Sequence, residues 1–166
     1  LGIDPGTATT GFGVIDADKE VMKLVDFGCI KTKPKINPAI RLDQIAQDLK
    51  MIIRELSPEV LAIEKLFFAK NVKTALAVAE ARGVILQNAC HFGLETFEYS
   101  PTEIKTAITG NGQADKRQMQ KMIQLILHLS SEPKPDDAAD ALAVALCHAQ
   151  NLKIILQNPL QMNLRL

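Results

Sequence analysis

Four carboxylates stand at the ends of apolar segments or inside them, where an ionised side chain is costly unless it is paired or metal-bound. Asp4 interrupts the opening segment, and Glu64 follows the hydrophobic run 60–63. Asp137 and Asp140 lie three residues apart in an alanine-rich segment. Carboxylates without nearby His or Cys select hard cations such as Mg²⁺ or Mn²⁺. The four acids therefore predict a divalent-metal site, and two such cations can drive hydrolysis of a phosphodiester.

The acids near the two strand ends also have ordinary structural explanations when each is considered alone. Asp4 could be a turn residue before Pro5-Gly6. Glu64 could form an ion pair at a strand end with Lys65. The metal-site interpretation therefore depends on all four acids together.

The acids of the alanine-rich segment raise a question of assignment. We interpret Asp136, which follows Pro135, as the N-cap of a helix. Asp136 is also one helical turn from Asp140, so periodicity leaves the choice between Asp136 and Asp137 open. The small residues around Asp137 and Asp140 suit close packing against a sheet, which makes a purely structural role harder to argue for these two.

The elements that must position the acids can be predicted from hydrophobic periodicity and turn residues. Three consecutive strands near the start predict an antiparallel meander, and later strand-helix-strand crossovers require parallel pairing. We expect an α/β fold: a mixed five-stranded sheet with helices on both faces. The predicted strands are 1–5, 11–17, 21–32, 60–63 and 94–99, and the predicted helices are 39–56, 72–91, 102–108, 114–129 and 136–150.

These elements bring the acids to one place. Ligands in open α/β sheets gather at the carboxyl ends of strands. Asp4 lies near the end of the first strand and Glu64 at the end of the fourth, so parallel neighbouring strands would put both at one edge. The last helix can present Asp137 and Asp140 across that edge, because residues i and i+3 share a helix face.

Length and composition bound the class of protein. The 166 residues predict one domain over 1–150, followed by a C-terminal tail over 151–166 without clear periodicity. No apolar run approaches the ~20 residues of a membrane span. No signal or transit peptide is visible, and we expect the start to have been trimmed. The three cysteines are far apart and odd in number, which predicts a reducing compartment, the cytoplasm: Cys29, Cys90 and Cys147.

Net charge neither indicates nor excludes a nucleic-acid partner. The formal net charge is zero. Residues 65–121 hold eight Lys/Arg against five Asp/Glu, whereas residues 1–64 hold eight against ten. Two divalent cations among the four acids would add four positive charges. Charge therefore permits nucleic acid as a partner.

Short motifs follow one another in a fixed order along nearly the whole chain. They are Gly2-Ile3-Asp4-Pro5-Gly6-Thr7, Thr10-Gly11-Phe12-Gly13, Ile63-Glu64, Phe67-Phe68-Ala69-Lys70-Asn71, Ala81-Arg82-Gly83, Tyr99-Ser100-Pro101 with Lys105, Gly110-Asn111-Gly112 with Lys116, and Asp137-Ala138-Ala139-Asp140-Ala141-Leu142-Ala143. In this order and spacing they resemble the RuvC-type Holliday-junction resolvases, crossover junction endodeoxyribonucleases of the ribonuclease-H-like superfamily. The opening motif alone is weak, because other nucleases and ATPases share it, but the ordered set is highly specific.

The resemblance implies a metal-dependent nuclease. Asp4, Glu64, Asp137 and Asp140 take the family's catalytic and metal-binding positions, which decides the open choice in favour of Asp137. The implied cofactors are two Mg²⁺ per active site, with Mn²⁺ as a substitute, and the implied chemistry is two-metal phosphodiester hydrolysis. The implied activity is resolution of four-way DNA junctions by paired symmetric nicks, in recombination and repair. The implied partners are a second copy in a homodimer and a branch-migration helicase.

The loop after Glu64 carries the argument for junction DNA. An exposed aromatic beside a nuclease site can stack on an unpaired base, which is worth ~1–3 kcal/mol. The resemblance gives this role to Phe67, and Phe68 points the other way if the loop is extended. Both could instead be core anchors.

Basic and polar residues further along are candidates for DNA contacts. The predicted set is Lys70, Asn71, Lys73, Arg82, Lys105, Lys116 and Arg117. Lys105 and Lys116 match basic positions near the family's catalytic edge and could steady the scissile phosphate. Each of the other cations, taken singly, is more often a solvated surface charge, and this is the preferred interpretation for Arg117 and Lys121.

Other functions remain open from the residues alone. A related ribonuclease-H-like nuclease that processes ribosomal RNA precursor shares the Asp-Pro-Gly opening. Actin-like ATPases and sugar kinases also place an acid after a first strand, but they need two such domains. A non-catalytic junction-binding protein is the third alternative. The helix at 72–91 is apolar nearly all round, which is typical of a core helix or a dimer interface.

Overall fold

A computed structural model of the chain is built on a single mixed sheet. It describes residues 1–18, 21–66 and 72–157, with only the backbone described for 72–74 and 153–157. The strands are β1 (Gly2–Asp4), β2 (Thr9–Ala17), β3 (Met22–Lys31), β4 (Val60–Glu64) and β5 (Glu95–Tyr99). The helices are α1 (Pro38–Leu56), α2 (Val72–His91), α3 (Pro101–Thr109), α4 (Lys116–Ile126) and α5 (Asp136–Gln157).

The sheet has the order β3-β2-β1-β4-β5. β1 pairs antiparallel with β2 and parallel with β4. β2 pairs antiparallel with β3, and β4 pairs parallel with β5. The prediction of a mixed five-stranded sheet is therefore confirmed, with the meander and the two parallel crossovers in the expected places. Strand β3 runs in the same direction as β1, so the carboxyl ends of β1, β3, β4 and β5 lie at one edge.

Helices cover both faces of the sheet, and each face has its own core. On one face α5 packs across all five strands and against α3 and α4. Its core contains the alanines and leucines of α5 together with residues such as Ala62, Ile104 and Ile123. On the other face α1 and α2 cover large aliphatic side chains, among them Ile3, Ile45, Leu49 and Ile63.

Local signals explain where most helices begin. The side chain of Asn37 accepts the Ala39 N–H at 2.9 Å and so caps α1, whose first residue is a proline. Helices α3 and α4 both start with a capping box, in which cap and third-residue side chains bond each other's backbone N–H. The pairs are Ser100 with Glu103 and Asp115 with Gln118.

The ends of α4 and α5 differ from the prediction. α4 covers 116–126, inside the predicted 114–129, because Asp115 caps its start and His128 adopts a φ of 51° just after its end. α5 continues to Gln157, beyond the predicted end at 150, since residues 151–157 contain no Gly or Pro to stop it. The division into a domain over 1–150 and a tail over 151–166 stays a prediction.

Asp136 is not the N-cap that the sequence suggested. The Pro135 carbonyl accepts the Ala139 N–H at 3.1 Å, which is the first helical hydrogen bond, so Pro135 is in the cap position. Asp136 is the first helical residue, and its carboxylate bonds side chains of α4 instead. In the part of the chain that the structure describes, no helix is long and apolar enough to cross a membrane.

Candidate metal and nucleic-acid site

The sheet register sets Asp4 and Glu64 side by side. Ile3 pairs with Ile63 across β1 and β4, so the next residue on each strand is one of these acids. Glu64 in turn pairs with Tyr99 on β5. Neighbouring strands are about 4.8 Å apart. The two carboxylates therefore leave the sheet from adjacent strands at its carboxyl edge, as the sequence predicted.

Strand alternation directs both carboxylates to the face that α5 covers. Ile3 and Ile63 are 0% exposed and belong to the core under α1 and α2. Successive side chains on a strand point to opposite faces. Asp4 and Glu64 therefore point toward α5, and both are half-buried.

Glycines on β1 and β2 allow the backbone of α5 to lie directly on the sheet. A Cβ atom added at Gly11 would overlap the Asp137 carbonyl oxygen, and one added at Gly2 would overlap the Ala141 carbonyl oxygen. Gly11 is the cross-strand partner of Asp4. The close approach therefore delivers Asp137 to the strand beside Asp4, and Asp140 follows one helical turn later on the same face.

The carboxylates raise one another's pKa. Burial raises the pKa of Asp4 to about 7, and repulsion from Glu64, Asp140 and Asp137 adds to the effect. Burial likewise raises the pKa of Glu64, with Asp140 as the second cause. Burial also raises the pKa of Asp140. The repulsion that raises the pKa of Asp4 shows that the other three acids lie near it, and a bound cation would relieve that repulsion.

The donor chemistry of this group fits a hard divalent cation, since every candidate ligand is a carboxylate. In the arrangement that the described residues adopt, no group of three or more His, Cys, Asp or Glu side chains could hold a metal ion. Repulsion between like charges keeps carboxylates apart until a cation screens them. The backbone geometry brings the four acids to one edge, and their side chains would have to rotate toward one another to hold a cation.

Two lysines approach the acids from the side of α3 and α4. Lys105 faces Glu64 and lowers its pKa, against the larger effect of burial. Lys116 Nζ lies 3.2 Å from Asp140 Oδ2. Together with Glu64 and Asp140 these lysines line a cavity of about 260 Å³. Acids and cations therefore face the same cavity, which suits a phosphate held between metal and lysine.

Asp136 contributes to this arrangement from outside the cavity. Its Oδ2 atom lies 3.2 Å from Lys116 Nζ, and its Oδ1 atom accepts a hydrogen bond from Gln120 Nε2 at 2.9 Å. The hydrogen bond from Lys116 lowers the pKa of Asp136. Asp136 thus ties α4 to α5 and shares Lys116 with Asp140. Nothing in the sequence pattern signalled this link, because the two segments are 16 residues apart or more.

The remaining predicted DNA contacts have mixed positions. Arg82 forms an ion pair with Glu98 on β5, with Nη2 and Oε1 2.6 Å apart, so its guanidinium is already engaged by a carboxylate. Arg117 is exposed on α4. Lys73 lies in α2, where only the backbone is described. The predictions for Phe67, Phe68, Lys70 and Asn71 fall outside the described residues.

The ordinary explanation for Glu64 finds no contact to support it. Within the described residues, no ion pair joins Glu64 to Lys65.

His148 has a structural role away from the acids. It is 5% exposed, and its Nδ1 atom is 2.8 Å from the Tyr99 hydroxyl. Burial lowers the pKa of His148 to about 4, which keeps the ring neutral near pH 7. A larger cavity of about 430 Å³ beside His148, at the opposite edge of the sheet, lacks the four acids.

Comparison with known proteins agrees with this geometry over nearly the whole chain. The family model for "Crossover junction endodeoxyribonuclease RuvC" matches residues 1–148. A curated relative of that name from Chloroflexus aggregans is 52% identical over 149 residues, which is 90% of this chain and 91% of the relative. This chain belongs to the RuvC family of crossover junction endodeoxyribonucleases. The family consists of metal-dependent nucleases.

Solved structures agree as well. A structure of Thermus thermophilus RuvC has a TM-score of 0.86 and 32% identity, with 92% of this chain and 94% of that chain covered. A Thermus thermophilus RuvC in complex with Holliday junction substrate has a TM-score of 0.88 and 32% identity, covering 92% and 93%. The ribonuclease-H-like fold is confirmed, and so is the enzyme class, a hydrolase of phosphodiester bonds. The family model and these relatives carry no support for processing of ribosomal RNA.

Proposed function

We propose that this chain resolves four-way DNA junctions by hydrolysing one phosphodiester at the site of Asp4, Glu64, Asp137 and Asp140. The observation that carries the proposal is the meeting of these four acids on the α5 face at the carboxyl edge of the sheet, where burial and the three neighbouring acids raise the pKa of Asp4 to about 7. Membership of the RuvC family supports the reaction class, and the Thermus thermophilus RuvC complex with Holliday junction supports the substrate.

The acids are assigned as ligands for two Mg²⁺ ions, for which Mn²⁺ substitutes. When bound, these cations supply a water of lowered pKa as the nucleophile and neutralise charge on the scissile phosphate. Asp4 lies between Glu64 on the next strand and Asp137 on α5, so it would be the central ligand of the set. All four acids must be ionised to bind, which makes the site most effective above the raised pKa of Asp4.

The lysines assist from the cavity that they share with Glu64 and Asp140. Lys105 and Lys116 present ammonium groups to a phosphate entering the cavity, where they stabilise the charge that develops on its oxygens. Lys116 is held beside the acids by both Asp140 and Asp136. The cavity is lined by both lysines and by Glu64 and Asp140, so a phosphate that enters it would meet ammonium groups beside the acids.

A four-way junction needs two symmetric nicks, so we assign the active form as a homodimer with twofold symmetry. Helix α2 supports this, because Leu76 on its outer face is 59% exposed while Ala81 and Ile85 face the core. The aromatic Phe67 and Phe68 are assigned to the branch point of the junction, with Lys70 and Asn71 on adjoining phosphates. By family resemblance the dimer also works with a branch-migration helicase in the cytoplasm.

The test is cleavage of a synthetic four-way junction with Mg²⁺ by wild type and by Asp4→Asn. We expect paired nicks at symmetric positions from wild type, no cleavage of a linear duplex of the same sequence, and loss of cleavage in Asp4→Asn. Junction binding should persist in the variant, since Asp4 is not one of the positively charged residues proposed to contact the DNA. Cleavage of ribosomal RNA precursor with intact junctions, or ATP hydrolysis without nucleic acid, would contradict the proposal.

A further inference from the structure

The segment that links β3 to α1 carries positive charge that the proposed function does not use. Residues 27–42 contain four cations and no Asp or Glu: Lys31, Lys33, Lys35 and Arg41. The three lysines are exposed, and Arg41 is half-buried. Among the described residues, none of the four forms an ion pair. A cluster of four cations without carboxylate partners is the charge pattern expected of a surface that binds a polyanion.

This segment lies at the same sheet edge as the acids. The register joins Asp4 to Gly11 and Gly11 to Cys29, so these residues form one row across β1, β2 and β3. Lys31 follows Cys29 by two residues, so it projects from the same face, nearer to the edge. Burial and the Asp137 carboxylate raise the pKa of the Cys29 thiol, and Lys31 lowers it, which is consistent with Lys31 and Asp137 on either side of Cys29.

Hydrogen bonds fix the segment to the loop that follows Asp4. The Thr32 N–H donates to the Ala8 carbonyl at 3.1 Å, and the Thr32 hydroxyl donates to the Thr7 carbonyl at 2.5 Å. Arg41 Nε donates to the Thr32 hydroxyl at 2.8 Å, and among the described residues its guanidinium forms no ion pair. Thr32 itself is 9% exposed. Thr32 is therefore a buried residue that joins Arg41 and the basic segment to the loop that follows Asp4.

Backbone geometry alone does not explain the lysine at position 35. Lys35 has a φ of 62°, a left-handed conformation that glycine or asparagine adopts at lower cost. A lysine at such a position contributes a charge where the backbone would favour a smaller residue. The neighbouring Lys33 is equally exposed.

We propose that Lys31, Lys33, Lys35 and Arg41, here called the β3 basic surface, bind the DNA backbone on the side of the acids away from Lys105 and Lys116. The proposal rests on the proposed function, because it extends the path of the cleaved strand. Two strand spacings separate β1 from β3, about 10 Å. A DNA strand advances about 3.4 Å per nucleotide, so the surface meets phosphates roughly three nucleotides from the scissile one.

DNA suits this surface better than an acidic protein does. The β3 basic surface is continuous with the edge where a phosphodiester is cleaved, and lysines without fixed partners suit phosphates whose exact positions vary with sequence. The result is a catalytic centre with cations on both sides, Lys105 and Lys116 toward β5 and the β3 basic surface toward β3. A strand lying across the acids would contact both.

The test compares Lys33→Gln/Lys35→Gln with a control pair of equal charge change, Lys23→Gln/Lys50→Gln. Lys23 lies at the start of β3 and Lys50 near the end of α1, both toward the opposite edge of the sheet. The measurement is affinity for an uncut four-way junction without divalent metal, at salt from 50 to 200 mM. Each lost phosphate contact lowers the slope of log affinity against log salt by ~1. We expect a slope lower by ~2 and weaker binding for the first pair, and no change for the control.

A second measurement locates the contact. Junctions carrying a single uncharged methylphosphonate at successive positions should lose affinity for wild type at about three nucleotides from the cut, and lose none for Lys33→Gln/Lys35→Gln. Equal slopes for the two variant pairs would overturn the inference and leave an acidic protein as the occupant of this surface. If wild type cleaves junctions normally in that case, the proposed function stands and only the β3 basic surface fails. If wild type neither binds nor cleaves junctions, the proposed function itself fails.

Discussion

The two faces of the sheet are built from different residues, and only one of them carries the acids. Where α5 crosses β1 and β2, the α5 face has glycine and alanine, so backbone packs on backbone at Gly2 and Gly11. The face under α1 and α2 is assembled from large aliphatic side chains, of which Ile3, Ile45 and Leu49 are 0% exposed. Small residues bury little area, but they leave few positions that the helix can adopt.

The two faces of the sheet therefore have different roles: one stabilises the fold, and the other positions the acids. Burial of a large aliphatic side chain contributes about 1.5–3 kcal/mol, so the face under α1 and α2 holds the sheet together. The α5 face fixes Asp137 and Asp140 against the strands that hold Asp4 and Glu64. Substitutions on the α5 face should therefore act on cleavage out of proportion to their effect on stability, and substitutions on the other face should do the reverse.

The largest effect is expected at Asp137, compared with its neighbour Asp136 as a matched control. Asp137→Asn should lower the rate of junction cleavage by about 10²–10³-fold, the cost of losing one preorganised electrostatic contact. Asp136→Asn should lower it less than about fivefold, because the ion pair of Asp136 with Lys116 is exposed to solvent and therefore weak. Single-turnover cleavage measures both. Equal losses in the two variants would mean that the wrong aspartate has been assigned.

The next effect is expected at Gly11, compared with Gly83. Gly11→Ala places a methyl group on the Asp137 carbonyl oxygen, so α5 must move away from β2. A displacement of about 1 Å in a catalytic group can cost ~10²-fold in rate. A Cβ at Gly83 in α2 would meet no described atom within 4 Å, so Gly83→Ala should gain up to about 1 kcal/mol in stability. Full activity in Gly11→Ala, measured on folded protein, would argue against close packing as the positioning device.

A third effect follows from the crowding of acids on the α5 face. The pKa of Asp4 is raised from 3.8 to about 7 in the folded protein, so the metal-free folded state holds this proton more tightly than the unfolded state does. Stability from this group is therefore present at low pH and is lost as pH rises toward and through 7, by about 2–3 kcal/mol between pH 5 and pH 8. Urea unfolding in EDTA should show this loss in wild type and a smaller one in Asp4→Asn. If the free energy of unfolding fell equally with pH in wild type and in Asp4→Asn, the pKa of Asp4 would not be raised in the folded protein.

The smallest effect on cleavage is expected on the other face. Leu49→Ala leaves a cavity beneath α1 and should lower the free energy of unfolding by about 2–5 kcal/mol. Cleavage per folded molecule should stay unchanged, because Leu49 lies in the core on the face of the sheet away from the four acids. Denaturant unfolding and active-site titration measure the two quantities separately. A parallel drop in both would show that the two faces are not independent.

The position of the four acids at one edge of the sheet was predictable from the sequence. Strand ends next to Asp4 and Glu64, alternation along the strands, and helix spacing in α5 were enough to bring the four acids to one edge. The capping boxes at Ser100 and Asp115 are also visible as sequence patterns. The box at Asp115 sets the start of α4 at Lys116, two residues after the predicted start.

The rest depends on contacts between segments that sequence periodicity does not register. The row from Asp4 through Gly11 to Cys29 follows from strand register, which turns and packing decide together. The ion pair of Arg82 with Glu98 joins a helix to a strand, and it gives a carboxylate partner to a residue that stays a predicted DNA contact. The bond of Asp136 to α4 is likewise a tertiary contact, and it replaced the predicted capping role because Pro135 is in the cap position.

The most direct test of the central account, that the four acids form one divalent-cation site, is the change in melting temperature on adding Mg²⁺ or Mn²⁺. A ligand that binds only the folded state at 100 times its Kd stabilises by about 2.7 kcal/mol. We predict a clear upward shift for wild type and for Asp136→Asn, and little or none for Asp4→Asn, at pH 8. An equal shift in wild type and Asp4→Asn, or no shift in wild type at any cation concentration, would contradict the account.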